Sequence, residues 1–387
     1  MDWSKLQSIH HKFIELYNSN PIAVRSPGRI NLIGEHTDYN QGFVLPAAID
    51  REITLCIGLN QSASCNLFSW DLQEHHSFKM DKLVPSQRNW ANYIIGVVQQ
   101  LQLHGHEVTG FDCVFGGDIP IGAGLSSSAA LECGMAFGLS NLLGLNLSKI
   151  EIARLSQAAE NDFVGMQCGL MDQYANMFGK EGKLIQLDCR TETHEEIAVD
   201  LKEYGLWLFN TNVKHQLDDS EYNVRRRECE AGVKLIRRKF HQVSSLRDCE
   251  LSMLTNIEDT TLKNRCQFVI EENARVVEGS KDLQCGDLQG FGQKMYLSHH
   301  GLSKMYQVSC PELDLLVEYT RDEPSILGAR MMGGGFGGCT INLIDQENVE
   351  SINSKYSAAY FHATGKRMSI YPVNIANGTS LTALNLN

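Results

Sequence analysis

The sequence predicts an α+β protein built from two domains. At 387 residues, the chain is long enough for two domains of about 100–200 residues each. Segments with helix and strand patterns are mixed along it without a steady βαβα alternation, which favours α+β over a doubly wound sheet. A polar stretch, residues 189–196, interrupts these patterns near the middle of the chain. We therefore expect one domain at residues 1–190 and a second at 191–387.

The first domain is expected to open with an amphipathic helix and to alternate afterwards between strands and helices. Apolar residues recur at helical spacing from Trp3 to Tyr17, and Pro21 with the apolar run Ile22–Val24 then indicates a strand. Further strands are predicted at 51–57, 111–115 and 184–187, and further helices at 90–103, 126–143 and 149–163. The helix at 126–143 consists of small and apolar residues behind a serine N-cap, so we expect it to be buried.

The second domain is expected to hold several helices and a few strands. The pattern predicts a strand at Leu206–Asn210 and a series of helices between about Asp218 and Asp322. Strands near 329–332 and 339–343 then flank a glycine cluster, and a helix and a final strand follow. No internal repeat or low-complexity tract interrupts this order.

Composition and charge exclude several classes of protein. The chain has 34 Lys and Arg against 46 Asp and Glu, a formal net charge of -12, which argues against nucleic acid as the main partner. No window approaches the roughly 20 consecutive apolar residues of a membrane-spanning helix. The N-terminus lacks the pattern of a secretory signal, so we expect a cytoplasmic protein. Twelve cysteines without a C-x-x-C pair indicate neither a zinc ribbon nor a redox pair.

A glycine- and serine-rich segment, Asp118–Glu132, has the features of a phosphate-binding loop. Gly122 and Gly124 permit positive φ and a close backbone approach, and the helix that follows points unpaired N–H groups at any anion in front of it. The alternative is a glycine-rich turn that caps a core helix. The run of three serines, Ser126–Ser128, favours phosphate because a cap needs only one.

Two other nucleotide motifs can be weighed against this loop. The chain has no G-x-x-x-x-G-K-[ST] sequence, which excludes a P-loop NTPase of the Walker type. The cluster Gly333–Gly338 matches G-x-G-x-x-G, but it lies near the C-terminus without a second βαβ half after it. We therefore expect the cluster to pack closely against a ligand or a neighbouring strand rather than to bind a dinucleotide.

The segment Gly28–Pro46 combines charged and apolar residues in the manner of a polar binding site. Arg29, Glu35, His36 and Asp38 lie within ten positions of one another, between apolar runs that exclude part of the water. Carboxylates and an imidazole are suitable partners for the hydroxyls of a sugar ring. A metal site at His36 and Asp38 is the alternative, but no second His or Cys completes a ligand set at the usual spacing.

Together, these segments resemble the galactokinase family of the GHMP kinase superfamily. GRINLIGEHTDYNQGFVLP resembles the galactokinase signature, PIGAGLSSSAALE the superfamily's ATP motif, and GGGFGG its third motif. With GLMDQYANMFG and SEYNVRRRECE, the resemblance extends from about Arg25 to Gly338. It implies a two-domain α+β GHMP kinase fold, with a left-handed βαβ unit in the N-terminal domain, a ferredoxin-like C-terminal domain and the active site in the cleft between them.

The resemblance also implies an activity: transfer of the γ-phosphoryl group of ATP to the anomeric hydroxyl of galactose, with Mg²⁺, as the first committed step of galactose catabolism in the Leloir pathway. It implies galactose and ATP as partners of a monomer, and Arg29 and Asp172 as the catalytic pair. The implied sugar-binding residues are Glu35, His36, Asp38, Gly169, Asp172 and Tyr222. The implied ATP-binding residues are Trp90, Tyr93, Gly122, Ala123, Gly124, Leu125, Ser126, Ser127 and Ser128. The implied Mg²⁺ ligands are Ser127 and Glu160.

Two roles for Asp172 are compatible with the sequence. It takes the proton from the sugar hydroxyl as a general base, or it orients that hydroxyl while the proton leaves late, as a loose transition state allows. An N-cap position on the following helix is compatible with either role.

Two alternative functions share the same motifs: an N-acetylgalactosamine kinase, and a sensor that binds galactose and ATP without turnover. The compact run His36–Asn40 favours galactose over its N-acetylated form. The complete serine run and the presence of both Arg29 and Asp172 favour a working kinase over a sensor.

Overall fold

The structure is a computed structural model that describes residues 3–120, 122–213 and 219–383. The elements of the first part are α1 (Trp3–Tyr17), β1 (Ile22–Asn31), β2 (Phe43–Val44), β3 (Pro46–Leu59), β4 (Ser64–Ser69), β5 (Glu74–Lys79), α2 (Asn89–Leu103), β6 (Phe111–Gly117), α3 (Ser127–Leu143), α4 (Lys149–Ala158), α5 (Met171–Phe178), β7 (Lys183–Asp188) and β8 (Thr193–Ala198). Those of the second part are β9 (Tyr204–Asn210), α6 (Asp219–Arg237), α7 (Thr260–Cys285), α8 (Leu288–His300), α9 (Pro311–Thr320), β10 (Ile326–Met331), β11 (Cys339–Asp345), α10 (Val349–Thr364), β12 (Ser369–Val373) and β13 (Ser380–Thr382). Ile121 of the glycine-rich loop and the expected start of the helix series at Asp218 lie outside the described residues.

The first sheet has the strand order β13-β1-β3-β6-β4-β5. Its neighbouring strands are antiparallel except for β4 and β6, which are parallel and connected through β5 and α2. This connection lies where the resemblance places a βαβ unit, and its handedness stays a prediction. Alternate residues of a strand face opposite sides, so Ala23 and Cys56 contact α1 while Val24 and Leu55 belong to the larger core with α2 and α3.

Helix α3 is buried along most of its length, as predicted, and lies against β1 and β3. Two glycines allow this close approach. A Cβ atom on Gly134 would lie 2.6 Å from Leu55 Cδ1, and one on Gly138 would lie 2.5 Å from Ile57 Cδ1. The close packing fixes the N-terminus of α3 at the end of the sheet, where the glycine-rich loop precedes it.

The second sheet has the antiparallel order β10-β11-β9-β12. The chain passes through it as β9, helices α6 to α9, β10, β11, α10 and β12. This is the βαββαβ arrangement of a ferredoxin-like domain, so that prediction and the α+β prediction are confirmed. The chain then returns to the first sheet, because β13 pairs with β1 through Ser380–Thr382.

Strand β1 is longer than the sequence pattern indicates. It continues to Asn31 across a register shift between Pro27 and Arg29, since proline is tolerated in a strand at such an irregularity. The backbone N–H of Arg29 donates to the carbonyl of Leu125 at 3.1 Å. The sugar signature therefore begins inside the sheet and is attached to the glycine-rich loop.

The polar stretch at 189–196 is not an open linker. It forms the turn after β7 and most of β8, which pair as an antiparallel hairpin in a third sheet, β2-β7-β8. The sequence analysis does not predict β4, β5 or β8, each of which has only six residues, half or more of them polar. The division into domains at residue 190 stays a prediction. In the described part of the chain, no helix is both long and apolar enough to cross a membrane.

Candidate active site

A cleft formed by two adjoining cavities contains the motifs. The first cavity has a volume of about 260 Å³. It is lined by Arg29, Glu35, His36, Asp38, Tyr93, Gly122, Ala123, Gly124, Leu125, Ser126, Ser127, Ser128, Glu160, Asp172, Tyr222, Gly333 and Gly334, among others. The second, of about 620 Å³, is more apolar and is lined by Trp90. Tyr93, Ser127 and Ser128 line both, so the cleft is continuous across the serine run.

Arg29 and Asp172 form a bidentate ion pair in the first cavity. Nε and Nη2 of Arg29 lie 2.7 Å from the two carboxylate oxygens of Asp172, a fork geometry that gives strong, directed hydrogen bonds. Nη1 of Arg29 donates to the carbonyl of Gly124 at 2.6 Å. Arg29 is 5% exposed, so this arrangement is held away from bulk water. It joins the end of β1, the glycine-rich loop and α5.

The glycine-rich loop opens into the N-terminus of α3. Gly122 and Gly124 have φ of 76° and 74°, a conformation that glycine adopts without strain. Ser126, at the N-cap position, also has positive φ, and its side chain makes no capping hydrogen bond. Its hydroxyl donates instead to Oδ2 of Asp172. The cap therefore leaves the first N–H groups of α3 unsatisfied, as an anion-binding helix terminus requires.

Glu35 is fixed by a buried arginine from the second sheet. Arg330, on β10, is fully buried and donates to Oε1 of Glu35 at 3.0 Å and to the carbonyl of Leu32 at 2.8 Å. The backbone N–H of Gly333 donates to the same carboxylate oxygen at 2.8 Å. Buried charges need such partners. This clamp joins the sugar signature to the third motif.

His36 belongs to a chain of hydrogen bonds. Burial lowers the pKa of His36 to about 3, so the ring is neutral at pH 7 and carries one N–H. Its Nε2 lies 3.2 Å from the carbonyl of Gly334, which can only accept, so Nε2 holds the hydrogen and Nδ1 accepts from Tyr39 at 2.8 Å. Tyr39 then accepts from Tyr306 at 2.8 Å. Both nitrogens of His36 therefore have protein partners.

Asp38 is half-buried next to Gly169. A Cβ atom at position 169 would lie 2.1 Å from Oδ2 of Asp38, so the glycine is needed for this approach. Burial raises the pKa of Asp38 to about 7, and the nearby charge of Asp172 adds to the effect. This carboxyl therefore titrates near neutral pH.

Glu160 lies in a π-helical segment, Ala159–Val164, that continues α4. Such segments often occur at functional sites. Nε2 of Gln173 donates to Oε2 of Glu160 at 2.7 Å, and Ser128 contributes a side-chain hydrogen bond. Burial raises the pKa of Glu160 to about 7, with a further contribution from Asp172. A carboxylate and a serine hydroxyl thus meet at the start of α3.

The second cavity has an aromatic wall. Trp90, in the first turn of α2, donates from Nε1 to Oε2 of Glu74 at 2.8 Å, and its ring centre lies 5.3 Å from that of Phe115. Tyr93 lies one turn further along α2, at the border with the first cavity. A flat aromatic ligand group with polar edges fits such a wall.

Comparison with protein families gives matches over most of the chain. Residues 11–59 match the galactokinase galactose-binding signature, residues 92–180 the GHMP kinases N terminal domain, and residues 280–362 the GHMP kinases C terminal family. A galactokinase of Thermosipho africanus is 41% identical over 359 residues, which cover 93% of this chain and 99% of the relative. The chain belongs to the galactokinase family. Another member, from Clostridium perfringens, is 37% identical over 97% of this chain and 99% of its own length.

Solved structures agree with family membership. The crystal structure of Lactococcus lactis galactokinase complexed with galactose has a TM-score of 0.94 and 34% identity, and the match covers 98% of this chain and all of that one. The Methanococcus jannaschii mevalonate kinase, at 19% identity and a TM-score of 0.66, shares the fold. Members of the galactokinase family are ATP-dependent sugar kinases, and so is this chain.

The structure brings together nearly all the site residues that the resemblance to this family implies. The implied catalytic residues, the sugar-binding residues other than Gly169, and the serine run all line the first cavity. Gly169 lies directly behind Asp38. Trp90 alone lines only the second cavity.

Two local expectations differ from the structure, whereas the expected magnesium pair, Ser127 and Glu160, stays a prediction. The hydroxyl that bonds Glu160 belongs to Ser128, the residue next to Ser127. Asp172 is not an N-cap, because α5 begins at Met171 and Leu170 takes the cap position. Ser126 occupies its predicted cap position but uses its side chain elsewhere. For Ser126, a contact with Asp172, 46 residues away, decided the outcome.

Sequence reasoning missed residues that support the site from a distance. Arg330 could have been recognised from the sequence, because a charged residue inside a predicted buried strand needs a charged or hydrogen-bonding partner. Tyr306 lies outside the motifs. Cys229, whose thiol lies 3.1 Å from the Tyr306 hydroxyl, belongs to the stretch SEYNVRRRECE but was assigned no role. Glu132 is fully buried near Glu160, and burial raises its pKa well above the ordinary value. The position of Glu132 in an otherwise apolar helix could have indicated that its carboxyl is buried.

Proposed function

We propose that the protein transfers the γ-phosphoryl group of Mg-ATP to the anomeric hydroxyl of galactose, and that galactose occupies the first cavity while the nucleotide's base occupies the second. Membership of the galactokinase family supports the reaction. The position of the serine run, at the junction of the two cavities, supports this placement of the substrates.

One observation supports the proposal most directly. The Arg29–Asp172 pair stands at the mouth of the glycine-rich loop and is bonded to it through Gly124 and Ser126. Phosphoryl transfer depends on positioning and on compensation of the charge on the migrating group. A phosphate cradled by the loop would thus meet a fixed cation and a carboxylate at the same place.

On the sugar side, the proposed ligands are Glu35, Asp38, Asp172 and Tyr222. Arg330 holds Oε1 of Glu35, which directs the remainder of that carboxylate toward the cavity. Ionised carboxylates only accept hydrogen bonds, so Glu35 would accept from sugar hydroxyls, and Asp38 would do so in its ionised form. His36, with both nitrogens engaged, supports the wall through Tyr39.

The site fits a magnesium ion that comes with the nucleotide. Among the described residues, no group of three His, Cys, Asp or Glu side chains could hold a metal. Mg²⁺ is commonly held by one or two protein oxygens together with substrate phosphates, and Glu160 with the hydroxyl of Ser128 supplies such a pair. Ser127, the ligand implied by the resemblance, lies beside it. Bound there, Mg²⁺ would neutralise charge on the ATP phosphates.

The remaining steps belong to the chain's own residues. The loop and the N-terminus of α3 bind the phosphates, and Arg29 offsets the charge that spreads over the migrating group. Asp172 accepts the hydrogen bond of the anomeric hydroxyl and aims its oxygen at the γ-phosphorus. Fixed by two bonds from Arg29, Asp172 is well placed to orient this hydroxyl, whether its proton leaves early or late.

A coupled assay of ADP release from Mg-ATP tests the proposal. The sugars to compare are galactose, N-acetylgalactosamine, glucose and none. We expect turnover with galactose and none above background with the others. Preference for N-acetylgalactosamine would mean that the sugar side had been misassigned. Absence of turnover, together with a melting temperature raised by galactose and ATP, would favour a sensor. A cytoplasmic location and a monomeric state stay predictions.

A further inference from the structure

The side chain of Ser126 points at the catalytic carboxylate instead of into its own helix. A serine at the N-cap position ordinarily accepts a hydrogen bond from an N–H group of the first turn. The Ser126 side chain makes no such bond, and its hydroxyl donates to Oδ2 of Asp172. Ser126 therefore serves a purpose other than capping.

The backbone conformation of Ser126 also indicates a functional role. Its φ of 56° and ψ of 54° are left-handed, a conformation that residues other than glycine adopt rarely. Residues held in such conformations cluster at functional sites, where the surrounding structure maintains them. A glycine would adopt this conformation more easily. We therefore infer that a serine occupies the position because its hydroxyl is needed there.

The Ser126 hydroxyl occupies a position that the reaction needs. A carboxylate offers about four acceptor directions, and Arg29 takes two of those on Asp172 while Ser126 takes a third. Ser126 approaches from the glycine-rich loop, which is the side of the γ-phosphoryl group. The anomeric hydroxyl must lie between Asp172 and that group, so it competes with Ser126 for Oδ2.

We propose that the Ser126 hydroxyl bonds Asp172 until ATP binds and then turns to the nucleotide's phosphates, which leaves Oδ2 of Asp172 for the anomeric hydroxyl of galactose. This inference rests on the proposed function. A hydroxyl has one hydrogen to donate, so it cannot donate to the carboxylate and to a phosphate at the same time. Both acceptors are charged, and rotation about the Cα–Cβ bond suffices for the exchange. Ser126 is then a positioning residue that acts through Asp172.

Such an exchange makes the two substrates cooperative. ATP removes the competitor of the sugar hydroxyl, so galactose binds more tightly to the ATP complex than to the free enzyme. By thermodynamic linkage, galactose raises the affinity for ATP by the same factor. A serine that only shaped the loop would change the affinity for ATP without linking it to the affinity for galactose.

Isothermal titration of galactose into the full-length protein tests this inference. The titration is run without nucleotide and with a saturating non-hydrolysable ATP analogue and Mg²⁺. For the wild type we expect the analogue to lower the Kd of galactose about fivefold or more, within the usual range of coupling between sites. Ser126→Gly keeps the backbone conformation and removes the hydroxyl, so its Kd should be the same under both conditions and close to the lower wild-type value.

The matched control is Ser127→Gly, which removes the next hydroxyl of the same loop. Within the described residues the structure records no bond between Ser127 and Asp172, so this variant should keep the coupling even if it binds the analogue more weakly. Coupling that survives in Ser126→Gly, or a wild type without coupling, would overturn the inference alone. A wild type that did not bind galactose at all would overturn the proposed function and this inference with it.

Discussion

The proposed sugar side and the proposed nucleotide side of the cleft are built in opposite ways. On the sugar side, Glu35 and His36 are buried and their polar atoms are bonded to other parts of the protein, chiefly Arg330 and Tyr39. On the nucleotide side, the loop at Gly122–Ser128 has left-handed backbone at both of its glycines and an uncapped helix end. The sugar side is thus preorganised by side chains, whereas the nucleotide side offers backbone N–H groups that can bind an anion.

This contrast follows from what each ligand provides. Sugar hydroxyls are neutral and differ only in direction, so discriminating among them requires carboxylates that are held still. A polyphosphate is strongly charged and can be bound by N–H groups and a helix dipole with little demand on side-chain identity. Asp172 stands at the border and is bonded from both sides, by Arg29 and by Ser126.

The largest expected effect, on kcat, comes from substitution of Asp172 at the border between the two sides. Asp172→Asn should lower kcat by roughly 10²–10⁴-fold, the range expected when a group that assists proton removal or orientation is lost. Galactose should still bind, because Glu35 and Asp38 remain. Steady-state kinetics and a galactose titration of the same preparation measure both quantities. Near-normal turnover would remove Asp172 from the catalytic residues.

A large loss of stability is expected where the sugar side is clamped. Arg330→Met leaves Glu35 without its buried partner, so the free energy of unfolding should fall by about 3–5 kcal/mol. Denaturant unfolding measures this loss. Arg154→Met, which breaks an exposed pair with Glu192, is the matched control, and its effect should be about 0–1 kcal/mol. Similar losses in the two variants would contradict the buried clamp.

A smaller effect is expected from pH, again on the sugar side. With a pKa of about 7, Asp38 is mostly protonated at pH 6 and mostly ionised at pH 8, so its accepting form increases roughly tenfold. The kcat/KM for galactose should rise by that factor or more over this range, because Glu160 has a similar pKa. Asp38→Asn should remove the part of this rise that Asp38 contributes. A flat wild-type profile would exclude this role of Asp38.

The raised pKa of Asp38 also determines how its contribution to the stability of the protein changes with pH. Because the folded pKa of Asp38 lies above its ordinary value of 3.8, the folded state holds the proton more tightly than the unfolded state. The contribution of Asp38 to stability is present below about pH 4 and is lost as the pH rises through about 7. His36 acts in the opposite sense, since its lowered pKa favours the folded state above about pH 6.5.

The smallest effect should be confined to the nucleotide side. Gly122→Ala places a Cβ in open space but at φ 76°, a backbone strain of about 1–2 kcal/mol. Gly144→Ala, with φ 64° and equally open surroundings at the other end of α3, is the matched control. Both variants should lose similar stability, but only Gly122→Ala should raise the KM for ATP. An equal rise in the KM for galactose would contradict the separation of the two sides.

Local pattern was sufficient for the elements that carry strong periodicity. Helices α1, α2 and α3 were predicted close to their observed bounds, because their apolar spacing or composition allows few other structures. Strands β4, β5 and β8 were missed, since each has only six residues, half or more of them polar, and becomes a strand only by pairing with a neighbour. The extension of β1 through Pro27 and Gly28 was missed for a related reason, as a bulge hides a strand behind residues that usually end one.

The sequence by itself determined the family, the chemistry of the three motifs and most of the residues that line the first cavity, because each motif is a contiguous run whose residue types suit one ligand. Tertiary structure decided which atoms meet. It paired Glu160 with Ser128, turned Ser126 toward Asp172 and brought Arg330 across from the second sheet to Glu35. These contacts join segments dozens to hundreds of residues apart. No local pattern encodes them, because they depend on how the sheets and helices pack.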